Sequence, residues 1–191
     1  TFPQYQVSDF HRLIASKLEA VERGEVKRRM SFVPPQHWKS QLASIHFPAW
    51  YIGRNPNNRI VTSSYSGMLA KNFGRQARNL IKDDAYRSIF PDIRLSADSQ
   101  AADRWTINGH RGYYLATGVQ GATTGFGAEI FLVDDPIRDA QEADSEVMRD
   151  RVWDWFITVV HTRAAAAAQI IIQTRWHEDD LSGRLLAEME K

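Results

Sequence analysis

Lys39 and Ser40 follow an apolar segment and a short loop, Val33–Trp38, and they precede a predicted helix. A phosphate-binding loop needs this order: a strand, a loop whose amides wrap the phosphates, a lysine for phosphate oxygens and a hydroxyl for Mg²⁺. Both glycines of the general pattern are absent, because Val33 and Trp38 occupy their places. Taken alone, the segment favours an ordinary β–α loop over a phosphate site.

Asp134 and Asp135 follow an apolar run, Ile130–Val133, which predicts a buried strand that delivers two carboxylates to one edge of a sheet. In a phosphoryl-transfer site, Asp134 would hold Mg²⁺ and Asp135 would orient the attacking water. A turn at Asp135–Pro136 that only ends the strand explains the same residues. Both interpretations remain open at this point.

Gln173, Thr174 and Arg175 follow a third apolar run, Ile170–Ile172. In a nucleotide motor, this position can sense the γ-phosphate and pass its loss to a neighbouring element. In isolation, a solvated loop with one arginine over apolar surface is the favoured explanation.

These three segments lie in a chain whose pattern alternates between strand and helix. Asp139 and Glu142 predict the capped start of one long helix that carries Met148, Val152, Phe156 and Val159, and Pro48 is expected to bend or end the helix after Ser40. Predicted strands are 30–33, 59–64, 129–133 and 169–173, with a hairpin of 104–107 and 113–116; further helices are predicted around 9–23, 68–81 and 179–189.

Continuous apolar strands between helices predict an α/β fold with a mostly parallel central sheet flanked by helices on both faces. Ligands of such sheets bind at the carboxyl ends of the strands. The three polar segments therefore converge on one edge of the predicted sheet.

The composition is that of a globular protein of 191 residues, 43% hydrophobic and 25% charged. No cysteine is present, which excludes disulfide scaffolds and thiolate metal sites, and no apolar run approaches the length of a membrane span. A net charge of +1 does not decide whether the chain binds DNA, because cations must cluster on one face to bind phosphates.

Several motifs, in order along the chain, resemble the large subunits of phage terminases. They are PPQHWKS at 34–40, FPAWYIGRNP at 47–56, Asp98–Ser99 followed by AADRW at 101–105, the glycine-rich stretch 112–128, DDP at 134–136 and QTRWHEDDLSGRLL at 173–186. The phosphate-loop and acidic motifs are shared widely among P-loop motors, whereas the second and last motifs are more particular to terminases. Their collinear order favours this family over the local alternatives.

The resemblance implies a RecA-like P-loop ATPase of the additional-strand type, with ATP and Mg²⁺ as cofactors. Lys39 and Ser40 match the Walker A lysine and hydroxyl, and the loop residues Pro35, Gln36, His37 and Trp38 match the phosphate cradle. Asp134 matches the metal-binding Walker B acid and Asp135 the catalytic carboxylate, which is a glutamate in many relatives. Residues 173–175 match the coupling motif. His11 and Gln6 fall near the position of an adenine-contacting glutamine.

Three residues depart from the family pattern. Gln36 and Phe126 stand where relatives carry arginines, the second a candidate trans-acting finger, and Trp38 stands where they carry glycine. Arginine fingers contribute roughly 10³–10⁵ in rate. Two functions therefore stay open: an ATP-hydrolysing packaging motor, and a hydrolysis-defective relative that binds DNA or portal protein without turnover.

The resemblance also implies partners and a setting. These are double-stranded viral DNA, the portal protein, the terminase small subunit and further copies in a ring on the capsid, in the cytoplasm of the infected bacterial host and without a membrane. We expect residues 1–191 to form a single ATPase domain, with the family's C-terminal nuclease domain outside this chain and the isolated domain largely monomeric.

Overall fold

The computed structural model describes residues 7–121, 127–162 and 164–190. Seven strands form one sheet: β1 (Arg28–Phe32), β2 (Arg59–Ser64), β3 (Leu95–Gln100), β4 (Arg104–Ile107), β5 (Tyr113–Gly118), β6 (Ile130–Asp134) and β7 (Ala168–Gln173). The helices are α1 (Asp9–Glu22), α2 (Phe47–Arg54), α3 (Gly67–Lys82), α4 (Asp84–Ile89), α5 (Ala140–Asp144), α6 (Glu146–Trp155) and α7 (Leu181–Met189). π-Helical turns at Gln41–His46 and Phe156–His161 extend α2 and α6.

The strands lie in the order β1-β7-β6-β2-β5-β4-β3. The first five are mutually parallel, and β4 and β3 add an antiparallel edge. This arrangement confirms the predicted mostly parallel sheet and the hairpin of β4 and β5. Strand β7 lies between β1 and β6, so the strand before the loop and the strand before the two aspartates have one strand between them.

Alternate residues of the central strands enter two different hydrophobic cores. Ile130 and Leu132 pack with α1, α2 and α3 on one face, whereas Phe131 and Val133 pack with α6 and its π-helical extension on the other. Burial on both faces explains why these strands are apolar throughout rather than at every second residue. In the part of the chain that the structure describes, no helix is long and apolar enough to span a membrane.

Pro48 does not end its helix, contrary to one of the two expected outcomes. The helical segment continues through Arg54, and the turns before the proline widen to a π-helix, in which the Phe47 N–H bonds to the Leu42 carbonyl. A proline has no N–H to donate, and its ring clashes with the carbonyl four residues earlier in a regular α-helix. A wider turn leaves room for that ring, and such turns occur often at functional sites.

One further expectation fails and one strand was not predicted, each for a physical reason. The long helix predicted from Asp139 is divided at Ser145, so that the Asp139 cap belongs to the short helix α5. Strand β3 is missing from the sequence prediction because its residues, LSADSQ, contain one large apolar side chain and lie at the edge of the sheet. An edge strand with polar side chains has no hydrophobic alternation to detect.

Candidate nucleotide-binding site

The loop that carries Lys39 begins where β1 leaves the sheet. The Val33 N–H donates to the Gln173 carbonyl at 3.1 Å, so the chain stays beside β7 up to the two prolines. It then turns into a helix that begins at Lys39 and Ser40. The Lys39 side chain is buried beneath this loop, and only 7% of the residue is exposed.

Two residues of the loop have left-handed backbone conformations. The φ angles are +63° at Gln36 and +59° at Trp38, and the His37 ring lies 2.8 Å from the Pro35 carbonyl through Nδ1. Glycine adopts such angles without cost, whereas a side chain disfavours them. The Trp38 residue is 42% exposed, so its indole is not buried in the loop. The backbone at position 38 thus has a conformation that suits glycine, although tryptophan occupies it.

Lys39, Asp135 and Thr174 form a closed set of contacts across three segments, which we call the Lys39 cluster. The Lys39 ammonium lies 2.7 Å from Asp135 Oδ2 and donates to Thr174 Oγ1 at 3.0 Å. The Thr174 N–H donates to Asp135 Oδ1 at 2.7 Å. Asp135 has a φ of +43°, and aspartate is among the few residues that tolerate this region. Both carboxylate oxygens of Asp135 therefore have partners.

Asp134 lies at the end of β6 and is 1% exposed. Ser40 donates to its Oδ1 at 3.1 Å, and Ser44 donates to its Oδ2 in a short hydrogen bond. Burial, and then the negative charge of Asp135, raise the pKa of Asp134 to about 7 in spite of these hydrogen bonds. The paired hydroxyl and carboxylate oxygens of Ser40 and Asp134 are ligand types that suit Mg²⁺.

Gln173 and Arg175 do not share the partners of Thr174, because both bond to Asp180. Gln173 Nε2 donates to Asp180 Oδ2 at 2.9 Å, and Arg175 Nε donates to the same oxygen at 2.7 Å. Asp180 is the N-cap of α7, since its Oδ1 accepts from the Gly183 N–H at 2.9 Å. Arg175 also lies 5.2 Å from the centroid of the Phe32 ring. One three-residue segment therefore contacts both the Lys39 cluster and the start of α7.

Comparison with known proteins gives the family. Residues 31–189 match the family described as terminase large subunit, T4likevirus-type, N-terminal. The chain belongs to this family. Comparison with curated protein sequences gives no match.

Solved terminase structures share the fold at low sequence identity. The crystal structure of the HK97 bacteriophage large terminase matches with a TM-score of 0.64 and 13% identity, over 97% of this chain and 37% of that one. The ATPase domain of the Thermus phage P74-26 large terminase matches with a TM-score of 0.51 and 14% identity, over 89% of this chain and 70% of that one. The fold is thus that of RecA-like terminase ATPase domains, and this chain spans about a third of the HK97 protein.

Other terminase-like positions named from the sequence lie apart from the Lys39 cluster or outside the described residues. His11 caps the first turn of α1, where its Nδ1 accepts from the Ser8 N–H at 3.2 Å. Its predicted contact with adenine stays a prediction. Gln6 and Phe126 lie outside the described residues.

Ser44 is a residue of this candidate site that the sequence interpretation missed. It is fully buried, and it follows Ser40 by four residues, so both hydroxyls lie on one face of the helix. A second serine four residues after Ser40 is the signal in the sequence that could have found it.

We expect Asp134→Asn to raise the Tm at pH 8 by several °C and to change it little at pH 4. The pKa of Asp134 rises from 3.8 to about 7 on folding, so its contribution to stability is complete below pH 4 and is lost as the pH rises through 7. At pH 8 the parent buries a carboxylate that asparagine replaces with a neutral group, and each kcal/mol corresponds to about 2–4 °C in a domain of this size. Thermal denaturation of both proteins across this pH range measures the difference.

Asp98→Asn, at an exposed position, is the control. A Tm difference between the parent and Asp134→Asn that does not depend on pH would contradict the raised pKa of Asp134.

Proposed function

We propose that this chain is the ATPase motor domain of a terminase large subunit and couples ATP hydrolysis to the movement of double-stranded DNA into a procapsid. One observation carries the proposal: Lys39, Ser40, Asp134 and Asp135 meet at the carboxyl edge of β1 and β6, in a chain that belongs to the terminase family. Open α/β sheets bind ligands at this edge. The DNA, the portal protein, the small subunit, a ring of copies and the host cytoplasm belong to the same proposal.

In this proposal, Lys39 binds the β- and γ-phosphate oxygens, and the backbone N–H groups of residues 36–40 wrap the phosphates. Ser40 and Asp134 carry oxygen ligands of the kind that Mg²⁺ prefers, and they would hold this ion. When bound, the ion neutralises phosphate charge. Ser44 fixes the Asp134 carboxylate so that Oδ1 faces Ser40. The domain therefore brings a cation, a hydroxyl and a carboxylate to one place.

Asp135 orients the water that attacks the γ-phosphate and accepts its proton. The Lys39 ammonium lies 2.7 Å from this carboxylate. A bound phosphate competes for the same ammonium group, because Lys39 is the cation that the phosphates require. Nucleotide binding then exchanges the Lys39–Asp135 ion pair for a Lys39–phosphate contact and frees Asp135 to hold water.

In the same proposal, the segment Gln173–Arg175 transmits to α7 whether a nucleotide is bound. Thr174 contacts both Lys39 and Asp135, and its two neighbours hold the Asp180 cap of that helix. When Lys39 moves from Asp135 to phosphate, Thr174 loses a partner and the flanking residues transmit the change. The physical requirement for coupling is an element with two arrangements that the ligand biases.

A second function has specific support from the loop. Gln36 and Trp38 replace the arginine and glycine of the family pattern, and both have left-handed backbone angles. A domain with such a loop would bind DNA or portal protein and would turn ATP over slowly or not at all. Nucleotide binding without phosphate release would support this second function.

The deciding experiment measures nucleotide binding and phosphate release by the purified chain. For the motor function, we expect Mg²⁺-dependent phosphate release from ATP that Lys39→Ala reduces on the order of 10²-fold or more, since a phosphate-binding cation is lost. Lys17→Ala, which removes an exposed lysine of α1, is the matched control and should leave the rate unchanged. Phosphate release that survives Lys39→Ala, or calorimetry that shows no nucleotide binding by the parent, would refute the proposed site.

A further inference from the structure

Helix α3 concentrates positive charge in a chain that is nearly neutral as a whole. Its 16 residues, GMLAKNFGRQARNLIK, include Lys71, Arg75, Arg78 and Lys82 and no acidic residue. The whole chain, by contrast, has 24 basic and 23 acidic residues. The charge on α3 is therefore a local feature that the net charge of +1 conceals.

The four cations lie on one side of the helix. They recur at spacings of four, three and four residues, which is the period of an α-helical face. A different side of the helix packs into the core through Ala70, Phe73, Ala77 and Ile81. From the first to the last cation, the face extends over about 16 Å at the rise of an α-helix. We call these four residues the α3 basic face.

Most of this charge is not neutralised by the protein. Arg75 bonds to the Asn72 side chain, and Arg78 bonds to the Gln100 carbonyl and to Asn79, all of which are uncharged. Within residues 7–121, 127–162 and 164–190, the ion pairs include one cation of the α3 basic face: Lys71, 3.4 Å from Asp103 with both side chains about half exposed. An exposed pair of this kind is weak.

The two acidic residues that follow α3 have partners of their own in the next helix. Asp83 and Asp84, which follow α3, are engaged in α4, the first as its N-cap and the second in an ion pair with Arg87.

A groove of about 460 Å³ runs beside the first half of α3 and places uncharged polar groups beside the cations; it is lined by Tyr65, Met68, Leu69, Lys71, Asn72, Arg75 and Ala102. Hydroxyl and amide side chains next to lysine and arginine are the usual donors to nucleic-acid phosphates.

We propose that the α3 basic face binds the phosphate backbone of double-stranded DNA. That the ligand is DNA rests on the proposed function, and that it binds at α3 rests on the charge of this helix. A length of about 16 Å corresponds to roughly five base pairs of duplex, over which phosphates recur regularly. The contact is to phosphates, so it positions the duplex without reading its sequence.

The test is the salt dependence of duplex binding, measured without nucleotide by fluorescence anisotropy of a labelled 30-base-pair DNA. The variant Lys71→Gln/Arg75→Gln/Lys82→Gln removes three exposed cations and keeps Arg78, which bonds to the backbone. Each lost phosphate contact lowers the slope of log K against log salt by about 0.9. We therefore expect a slope smaller by about 2.7, so that between 50 and 200 mM salt the parent loses about 40-fold more affinity than the variant.

The matched control is Lys17→Gln/Lys27→Gln/Arg151→Gln, which removes three exposed cations from other parts of the fold. It should keep the parent slope. An equal loss of slope in both variants, an unchanged slope in the α3 variant, or no duplex binding by the parent would overturn the proposal. Displacement of the duplex by polyglutamate as readily as by unlabelled DNA would overturn it in favour of an acidic protein partner. Lys39→Ala should bind duplex like the parent, so failure of the ATPase site and failure of the α3 basic face are separate results.

Discussion

Asp135→Asn is expected to reduce ATP turnover on the order of 10²–10⁴-fold while nucleotide binding is retained or becomes tighter. Turnover falls because asparagine accepts no proton from the attacking water. Binding is preserved because the substitution removes the 2.7 Å ion pair between Asp135 and the Lys39 ammonium, which competes with phosphate for Lys39. Phosphate release measures the first effect, and calorimetry with a non-hydrolysable ATP analogue measures the second.

The opposite movement of the two quantities distinguishes this role from a structural one. If Asp135 only anchored the Thr174 backbone at 2.7 Å, the Oδ1 of asparagine would still accept from the Thr174 N–H, and turnover would change little. Asp144→Asn, at an exposed position at the end of α5, is the control and should change neither. Turnover close to that of the parent would therefore count against Asp135 as the catalytic carboxylate.

The sequence predicts the sheet better than the helices, for reasons that particular residues show. Strands such as Ile130–Asp134 are buried on both faces, so their apolar runs are unmistakable. The break at Ser145 is a local turn between two helical patterns of similar period, and periodicity does not register it. Pro48 signals an irregularity, but the proline alone does not decide between an ended helix and a widened turn.

The site is predictable to the extent that strand ends converge. Lys39 and Ser40 come after β1, Asp134 and Asp135 come at the end of the apolar run of β6, and parallel strands bring their carboxyl ends to one edge. The apolar pattern of the strands does not predict which side chains of the site contact one another. Ser40 and Ser44 hold Asp134, and Lys39 holds Asp135 and Thr174, because side-chain contacts depend on register between strands that are distant in sequence. Their functional roles stay predictions.

Trp38→Gly is expected to tighten nucleotide binding by about tenfold or more. The φ of +59° at this position costs a residue with a Cβ roughly 1–2 kcal/mol. Since the loop keeps this angle with or without phosphate, glycine there raises the stability of the loop and needs no rearrangement of it. The gain in affinity comes from space, because the phosphates approach the loop backbone closely and an indole beside them obstructs that approach.

Adding Gln36→Arg to Trp38→Gly is expected to raise turnover more than binding, by about 10²-fold in rate. A guanidinium neutralises charge that is greatest in the transition state, whereas glycine at position 38 helps the ground state and the transition state equally. Gln41→Arg, one position beyond the loop, adds the same charge outside the phosphate cradle and is the control. Calorimetry with the non-hydrolysable analogue compares parent, single and double variants, and phosphate release compares their rates. Equal, tight affinities of the parent and Trp38→Gly would show that the loop accommodates the indole, and the steric argument would then be wrong.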